Sequence, residues 1–466
     1  MKINKKQLIH IIGIGGIGMS GIAEILNGLG YSVQGSDLSL NPNILRLRAK
    51  KIRVFIAHSK QNLKNVNLVI YSSAIKKNNI ELKFAKSNSI PSIPRSNILA
   101  QLVSLKKTIA VSGSHGKTTT TSLIASVLSK SNYRPTIING GIINEYGTNT
   151  RLGSGKWMVV EADESDSTFL KLSSTISIIT NIDEEHLDYY KSFSNLKKSF
   201  SKFITQVPFY GCAIVCGDNE HIRKIIGNIS TTKIIKYGLN NNNDVRATNI
   251  RSKDNKTIFD FYIRDDNKKI KKYKNFSIPL VGRYNVLNSL ATIAVTSHIG
   301  LKISKIQKAI TLFKGVDRRL THVGTVKNIE IIDDYAHHPT EIKNVLSGMK
   351  ESRPSHNLIA VFQPHRFSRI VSLKKQFSAA FSSADHVIVS EVYSAGEKKP
   401  RNFKLDDLIR DIANKSKTKS SIYVDNNSIL NLIEQLNGKT SVIFLGAGSV
   451  TRWAYDFYSV LKRAYE

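Results

Sequence analysis

Cysteine is almost missing from this chain. Cys212 and Cys216 are the whole supply among 466 residues, which excludes a disulfide framework and points to buried thiols in a reducing compartment, with the cytoplasm as the expected location. Long apolar runs are missing as well. A membrane-spanning helix needs about 20 consecutive apolar residues, whereas the stretch Leu8 to Ile17 is short and broken by glycine, so no membrane insertion is expected. Lys2, Lys5 and Lys6 ahead of that stretch imitate a secretory leader, but no small-residue cleavage site follows, and a leader is not expected. Acidic residues are the third shortage: 35 Asp and Glu against 68 Lys and Arg leave a formal charge of +33. Clustered, that excess would suggest a nucleic-acid partner. Here the lysines are scattered. The densest run, Lys268 to Lys274, alternates as a solvated hairpin would, so the charge reads as surface and no nucleic acid is expected.

What is present is an alternation of short apolar runs with amphipathic stretches from end to end, the pattern of an α/β protein whose parallel sheets are covered by helices. The length requires more than one core, and three units are expected, over residues 1–106, 107–320 and 321–466. Strands are expected in the first at Leu8 to Ile14, Tyr31 to Gln34, Arg53 to Ala57 and Leu68 to Tyr71. In the second they are expected at Thr108 to Val111, Trp157 to Val160 and Ile176 to Thr180, followed by a polar stretch near Asn240 to Asn267 and a helix over Asn285 to His298. The third has candidates at Ile329 to Ile332, Leu358 to Phe362, His386 to Val389 and Val442 to Leu445.

Three constellations carry chemistry. In the first, Gly13-Ile-Gly15-Gly16-Ile-Gly18 follows a strand and opens a helix over Met19 to Leu29. Its glycines let backbone approach a diphosphate at the positive end of that helix, and Asp37 ends the next strand, where such folds hold a ribose hydroxyl. Alone, this motif is compatible with NAD. The second is Gly113-Ser114-His115-Gly116-Lys117-Thr118-Thr119, again between strand and helix. A loop of this type cradles ATP phosphates, its lysine neutralises the moving phosphoryl group, and its threonine hydroxyl ligates magnesium. Val111 stands where a Walker A motif has its first glycine. Acidic segments end the following strands, Glu161-Ala-Asp163-Glu164-Ser-Asp166 and Asn181-Ile-Asp183-Glu184-Glu185-His186, and from them Glu161 and His186 are singled out as metal ligands. The third constellation joins Asp333-Asp334-Tyr335-Ala-His337-His338 to Gln363-Pro-His365-Arg366-Phe-Ser-Arg369. Its arginines suit an anionic substrate. Successive residues point apart and no cysteine is near, so His337 and His338 are not expected to bind zinc.

In their order, GIGGIGMSGIAEIL, GSHGKTTTTSLI, EADESDSTFL, TNIDEEHLDYY, GRYNVLNSLA, DDYAHHPTE, QPHRFSR and VYSAGE resemble the Mur ligase family over essentially the whole chain. The departures are small: Ser114 replaces a frequent Thr, and Arg283-Tyr284 precedes Asn285 where a His often stands. The resemblance implies three domains: a Rossmann-like domain that binds a UDP-sugar, a central parallel-sheet domain of the P-loop ATPase type, and a C-terminal Rossmann-like α/β domain. It also implies ligation of L-alanine to UDP-N-acetylmuramate through an acyl phosphate, with ATP and two magnesium ions, in peptidoglycan precursor synthesis.

By the same resemblance Gly113, Ser114, His115, Gly116, Lys117, Thr118, Thr119, Asn285 and Asn288 hold the nucleotide, while Thr118, Glu161 and His186 hold metal. Arg319 reaches phosphate and Asp334 the nucleotide. Gly15, Gly16, Gly18, Asp37, His58, Ser72 and Ser73 surround the UDP moiety, with Arg95 toward the lactyl group. Tyr335, His365, Arg366 and Arg369 form the amino-acid pocket. An NAD-dependent oxidoreductase would leave Gly116-Lys117-Thr118 without a role. Two further readings stay open: a recycling ligase that attaches a preformed peptide to the same sugar acid, and a nucleotide-binding protein without catalysis. Oligomeric state is not legible.

Overall fold

The computed structural model describes residues 7–253, 255–265, 267–423 and 425–465; Lys2, Lys5 and Lys6 lie outside them. The first sheet consists of β1 (Leu8–Ile12), β2 (Ser32–Asp37), β3 (Arg53–Ile56), β4 (Leu68–Tyr71) and β5 (Ser92–Pro94). Its order is β3-β2-β1-β4-β5, parallel throughout. Ile9, Ile11 and Ile12 are buried, as is His10 between them, which is why β1 reads as an apolar run broken only by His10 and not as an alternation. The strand order reverses between β1 and β4, and a crevice for ligands opens at the carboxyl ends of strands at such a point.

The second sheet has ten strands among the described residues: β6 (Lys107–Ser112), β7 (Thr136–Ile143), β8 (Thr148–Arg151), β9 (Trp157–Glu161), β10 (Ile176–Ile179), β11 (Cys212–Cys216), β12 (Ile234–Gly238), β13 (Val245–Lys253), β14 (Lys256–Arg264) and β15 (Ile270–Ile278). They run in the order β15-β14-β13-β12-β11-β10-β6-β9-β7-β8. The β6 strand lies parallel to both β10 and β9, so the loop after β6 and the acidic segments after β9 and β10 leave the sheet at the same edge. Two parts differ from the sequence reading. The polar stretch near Asn240 to Asn267 contributes the whole of β13 and β14, and β7 with β8 forms an unexpected antiparallel hairpin. Cys212 and Cys216 are free and buried in β11, and burial pushes their thiols up to about 12 and about 11.

The third sheet contains β16 (Thr321–Val326), β17 (Ile329–Asp334), β18 (Asn357–Phe362), β19 (His386–Val389), β20 (Lys419–Ile422) and β21 (Thr440–Leu445), ordered β16-β17-β21-β18-β19-β20. All pairs are parallel except β16 with β17. Both faces are covered. One core gathers Leu358, Phe362, Phe377 and Phe381, the other Ile359, Val361, Phe444 and Phe457. By internal contacts the chain forms two compact units, one of Met1–Ala247, Phe261–Lys272 and Leu287–Lys314, the other of Thr248–Asp260, Tyr273–Val286 and Gly315–Glu466. Among the described residues no helix is long and apolar enough to cross a membrane.

Candidate active site

At the carboxyl end of β1 the chain turns through Gly13 to Gly16 and enters helix Ile17–Gly28. Gly16 caps that helix without a side-chain hydrogen bond, and the first turn carries no acidic residue, so no side chain of the helix itself neutralises the positive end of its dipole. Ser72 lies behind the turn, its Cβ 3.3 Å from where a Cβ on Gly13 would stand, and Ser73 follows it past the end of β4. The Arg95 guanidinium lies against Gly18, within 2.9 Å of a hypothetical Cβ. Gly15, Gly16, Gly18, Ser72 and Arg95 therefore meet at the crevice. Asp37 is there too, but its Oδ2 accepts the Gly15 amide at 2.8 Å and its Oδ1 the Leu38 amide at 2.8 Å, so it braces the loop. His58 sits one strand further out. Its Nδ1 lies 2.9 Å from Ser36 Oγ and 3.1 Å from the buried Glu81 Oε2.

The second loop is fastened on several sides. The His115 amide donates to Asn181 Oδ1 at 2.8 Å, the Asp183 amide to Ser114 Oγ at 2.8 Å, and Thr180 Oγ1 to the His115 carbonyl at 2.6 Å. His115 Nε2 lies 3.0 Å from Asp183 Oδ2. Gly116, at φ +81, caps helix Lys117–Lys130, a left-handed conformation that favours glycine. A Cβ on it would also meet Asn288 Oδ1 at 2.6 Å, and that oxygen accepts from Thr120 Oγ1 at 3.1 Å. Thr118 and Thr119 follow in the first turn, both buried. Asn288 thus joins the loop, while Asn285, one turn earlier on helix Arg283–His298, donates to the Val281 carbonyl at 2.9 Å.

Two separate groups of ligating side chains face this loop. In one, Thr118 Oγ1 donates to Glu161 Oε1 at 3.1 Å, while Glu161 Oε2 accepts the Gly140 amide at 2.7 Å. In the other, ligand atoms of Glu164, Glu185 and His186 all lie within 4.8 Å of one another. Glu164 Oε2 is buried with no hydrogen-bond partner among the described residues, an orphaned carboxylate oxygen of the kind a divalent cation satisfies. The sequence pattern named Glu161 and His186 but missed Glu164 and Glu185. Lys117 stands between the groups: its Nζ donates to Glu164 Oε1 at 2.9 Å and to the Gly113 and Ser114 carbonyls at 2.6 and 3.0 Å. Burial would lower its pKa, but the charges of Glu164 and Glu161 outweigh it and hold the ammonium well above its ordinary value. Burial raises Glu161, only partly opposed by Lys117. Burial would lower His186, and the carboxylates of Glu164 and Glu185 raise it instead. His186 also has φ +57, a conformation that costs a non-glycine residue and recurs at functional sites.

The other unit carries the third constellation. Asp334 ends β17, its oxygens accepting the Leu320 amide at 2.7 Å and the Ala336 amide at 2.8 Å, and burial pushes it up to about 6. Arg319 Nη1 lies 3.8 Å from Glu341 Oε1, and its guanidinium is 5.1 Å from the centre of the Tyr335 ring. The rings of Tyr335 and His337 are 5.2 Å apart, those of His337 and His365 5.8 Å. His365 stacks on Tyr393 at 5.4 Å, and Arg369 Nη1 approaches its Nδ1 at 3.5 Å. Burial, with the nearby arginines, drives both His337 and His365 down to about 4, so both rings are neutral at pH 7 and Arg366 and Arg369 supply the positive charge. Arg366 is exposed, has φ +66, and donates its amide to the Tyr393 carbonyl at 2.9 Å. Tyr335, His365, Arg366 and Arg369 are thus brought together. Tyr393 is an addition whose only signal was its place in VYSAGE. His338 turns away from His337 to cap helix Pro339–Ser352, accepting from the Thr340 amide at 3.4 Å.

Three family models match the chain in order: the Mur ligase family catalytic domain over residues 8–107, the Mur ligase middle domain over 111–296 and the Mur ligase glutamate ligase domain over 318–448. The UDP-N-acetylmuramate-L-alanine ligase of Brucella anthropi is 44% identical over 449 residues, covering 96% of each chain. That of Mesorhizobium japonicum is 45% identical over 452 residues, again 96% of each. Among solved structures, the UDP-N-acetylmuramate-alanine ligase of Thermotoga maritima has a TM-score of 0.81 at 27% identity, with 98% of this chain and 99% of that one covered. A murein peptide ligase from Psychrobacter arcticus shares the fold, at TM-score 0.69 and 22% identity over 98% of each chain.

Proposed function

The chain belongs to the Mur ligase family, and from that premise we propose that it is the cytoplasmic enzyme that joins L-alanine to UDP-N-acetylmuramate at the expense of ATP, with domain boundaries near residues 106 and 320. The observation that carries the chemistry is Lys117 held between two ligating groups, Thr118 with Glu161 and Glu164 with Glu185 and His186. Identity of 44% and 45% over 96% of the chain to enzymes named for alanine supports the choice of nucleophile.

The diphosphate of the UDP-sugar lies on the amides that open helix Ile17–Gly28, with Arg95 toward the lactyl carboxylate. His58, Ser72 and Ser73 serve the same ligand. ATP lies on the loop Gly113 to Gly116 and on Asn285 and Asn288, and Lys117 exchanges its contact with Glu164 for the γ-phosphate. Magnesium ions, when bound, add the positive charge that lets anions approach one another; Thr118 and Glu161 would hold one, and His186 with Glu164 and Glu185 a second. Arg319 serves phosphate and Asp334 the nucleotide. A lactyl oxygen attacks the γ-phosphorus and the bond to ADP breaks. The neutral amine of alanine then attacks the acyl carbon, phosphate leaves with the electron pair of the broken acyl-oxygen bond, and the surplus N–H proton passes to the departing phosphate. Arg366 and Arg369 hold the alanine carboxylate beside the neutral rings of His337 and His365, so no imidazolium competes for it.

The test is phosphate release with ATP, magnesium and UDP-N-acetylmuramate against a panel of amino acids and peptides. Turnover with alanine supports the reading. Turnover only with a preformed peptide moves the chain to the recycling ligases, and no turnover with any member overturns ligase activity.

A further inference from the structure

Helix Ile17–Gly28, which offers its amino end to the diphosphate, also packs on the hairpin β7–β8. One side chain ties its first turn to that hairpin. Asn149, on β8 and 1% exposed, donates Nδ2 to the Ile17 carbonyl at 3.0 Å and to the Asn139 carbonyl at 3.1 Å. Both partners are carbonyls, so the amide must present its NH2 to them, and Oδ1 is left buried with no partner among the described residues. An orphaned amide oxygen carries a cost, and the two bonds made by the nitrogen are what is gained.

From Asn139 the hydrogen bonds continue to the ATP loop. Asn139 Nδ2 donates to Ser122 Oγ at 2.8 Å, and Ser122 Oγ donates to the Thr118 carbonyl at 2.7 Å. The next residue of β7, Gly140, donates its amide to Glu161, whose other oxygen takes the Thr118 hydroxyl. An unbroken path therefore joins the first turn of one helix to the first turn of the other. A second contact holds the same pair of elements: a Cβ on Gly21 would land on Thr150 Oγ1 and come within 2.9 Å of Thr150 Cβ, so glycine is what lets the helix approach β8.

We propose that Asn149 is a positioning residue that sets the separation between the sugar-binding helix and the ATP loop while touching neither substrate. The inference rests on the assignment of those two sites. An in-line attack requires the lactyl oxygen and the γ-phosphorus to meet at a fixed distance, and misplacement by about 1 Å costs on the order of a hundredfold in rate. Each site keeps its own affinity when the tie is cut; only their mutual placement is lost.

Asn149→Ala should therefore lower kcat by roughly tenfold or more while the KM values for ATP and UDP-N-acetylmuramate each stay within about twofold. Gly21→Ala, which wedges the helix off β8 from outside the hydrogen-bonded path, should do the same. Rates are normalised to sites titrated with UDP-N-acetylmuramate, so misfolded protein is not counted. Variants that keep kcat in an active wild-type background overturn the positioning role and leave the ligase reading intact. A raised KM for one substrate with kcat preserved also overturns it, by placing Asn149 inside that substrate's site. A wild type that releases no phosphate overturns both.

Discussion

Lys117 Nζ lies 2.9 Å from the buried Glu164 Oε1, so a carboxylate holds the ammonium that the proposed function assigns to the γ-phosphate. Lys117→Ala should lower kcat by roughly a hundredfold or more, the scale for removing one fixed charge from a transition state. UDP-sugar affinity should persist, because a different sheet supplies it. Calorimetric titration of the variant with UDP-N-acetylmuramate, alongside phosphate release, checks both halves; near-normal turnover would displace the ATP site from this loop.

Gly16 lets the proposed sugar site be tested apart from the fold around it. A Cβ there would meet only the Gly13 carbonyl at 3.4 Å and Met19 Cγ at 3.9 Å, so the protein itself has room. Gly16→Val should place a branched side chain in the path of the diphosphate and weaken UDP-sugar binding by roughly tenfold or more, with ATP affinity little changed. Parallel titrations decide: equal losses for both nucleotides count against a separate diphosphate site.

Arg366→Lys keeps charge and the same positive φ but removes the planar fork. The KM for alanine should rise roughly tenfold, about 1.4 kcal/mol, with the ATP and UDP-sugar values moving much less. Acyl-phosphate formation without alanine should remain detectable. An unchanged alanine KM with a weakened ATP value would assign Arg366 to phosphate instead.

Glu81 yields a pH prediction. Burial would raise its pKa, but hydrogen bonds from His10, Ser36 and Asn62 and the charge of His10 outweigh that and bring it down to about 2 from 4.5. A carboxylate with a depressed folded-state value contributes stability that is complete above the unfolded value and is lost as pH falls toward the folded one. The contribution, on the order of 3 kcal/mol, should therefore be present at pH 6 and disappear between about pH 4.5 and 2. The unfolding midpoint of Glu81→Gln should lie below wild type at pH 6, and the gap should close on acidification; a gap independent of pH would refute the assignment.

Much of this was legible because buried parallel strands are written as apolar runs and because glycine loops follow them directly. The strand expected at Leu68 to Tyr71 coincides with β4, and Leu358 to Phe362 with all but one residue of β18. The hairpin β7–β8 was missed: Asn139-Gly140-Gly141 interrupts the isoleucines of β7, and β8, Thr148–Arg151, carries no apolar residue at all. Among the acids, the pattern located the segments but could not select Glu164 and Glu185. That selection depends on the left-handed turn at His186 and on the Tyr190 hydroxyl, which donates to the Glu164 carbonyl at 2.5 Å. Tyr393 joins the cluster around His365 through the bridge between His365 and Tyr393, a contact across chain distance that spacing does not encode.

The ten-stranded sheet ends on one side at β8 and on the other at β15. An open strand edge is a template for unwanted pairing with another chain. At β8 the helix seated on Gly21 and Thr150 shields the edge. At β15 the defence is electrostatic: Lys271, Lys272 and Lys274 stand exposed along the strand, and a second chain docking there would have to strip water from a row of like charges. The lysine run that the sequence reads as a solvated hairpin thus lies on the outermost strand of the sheet, where its charge disfavours edge-to-edge pairing and requires no binding partner.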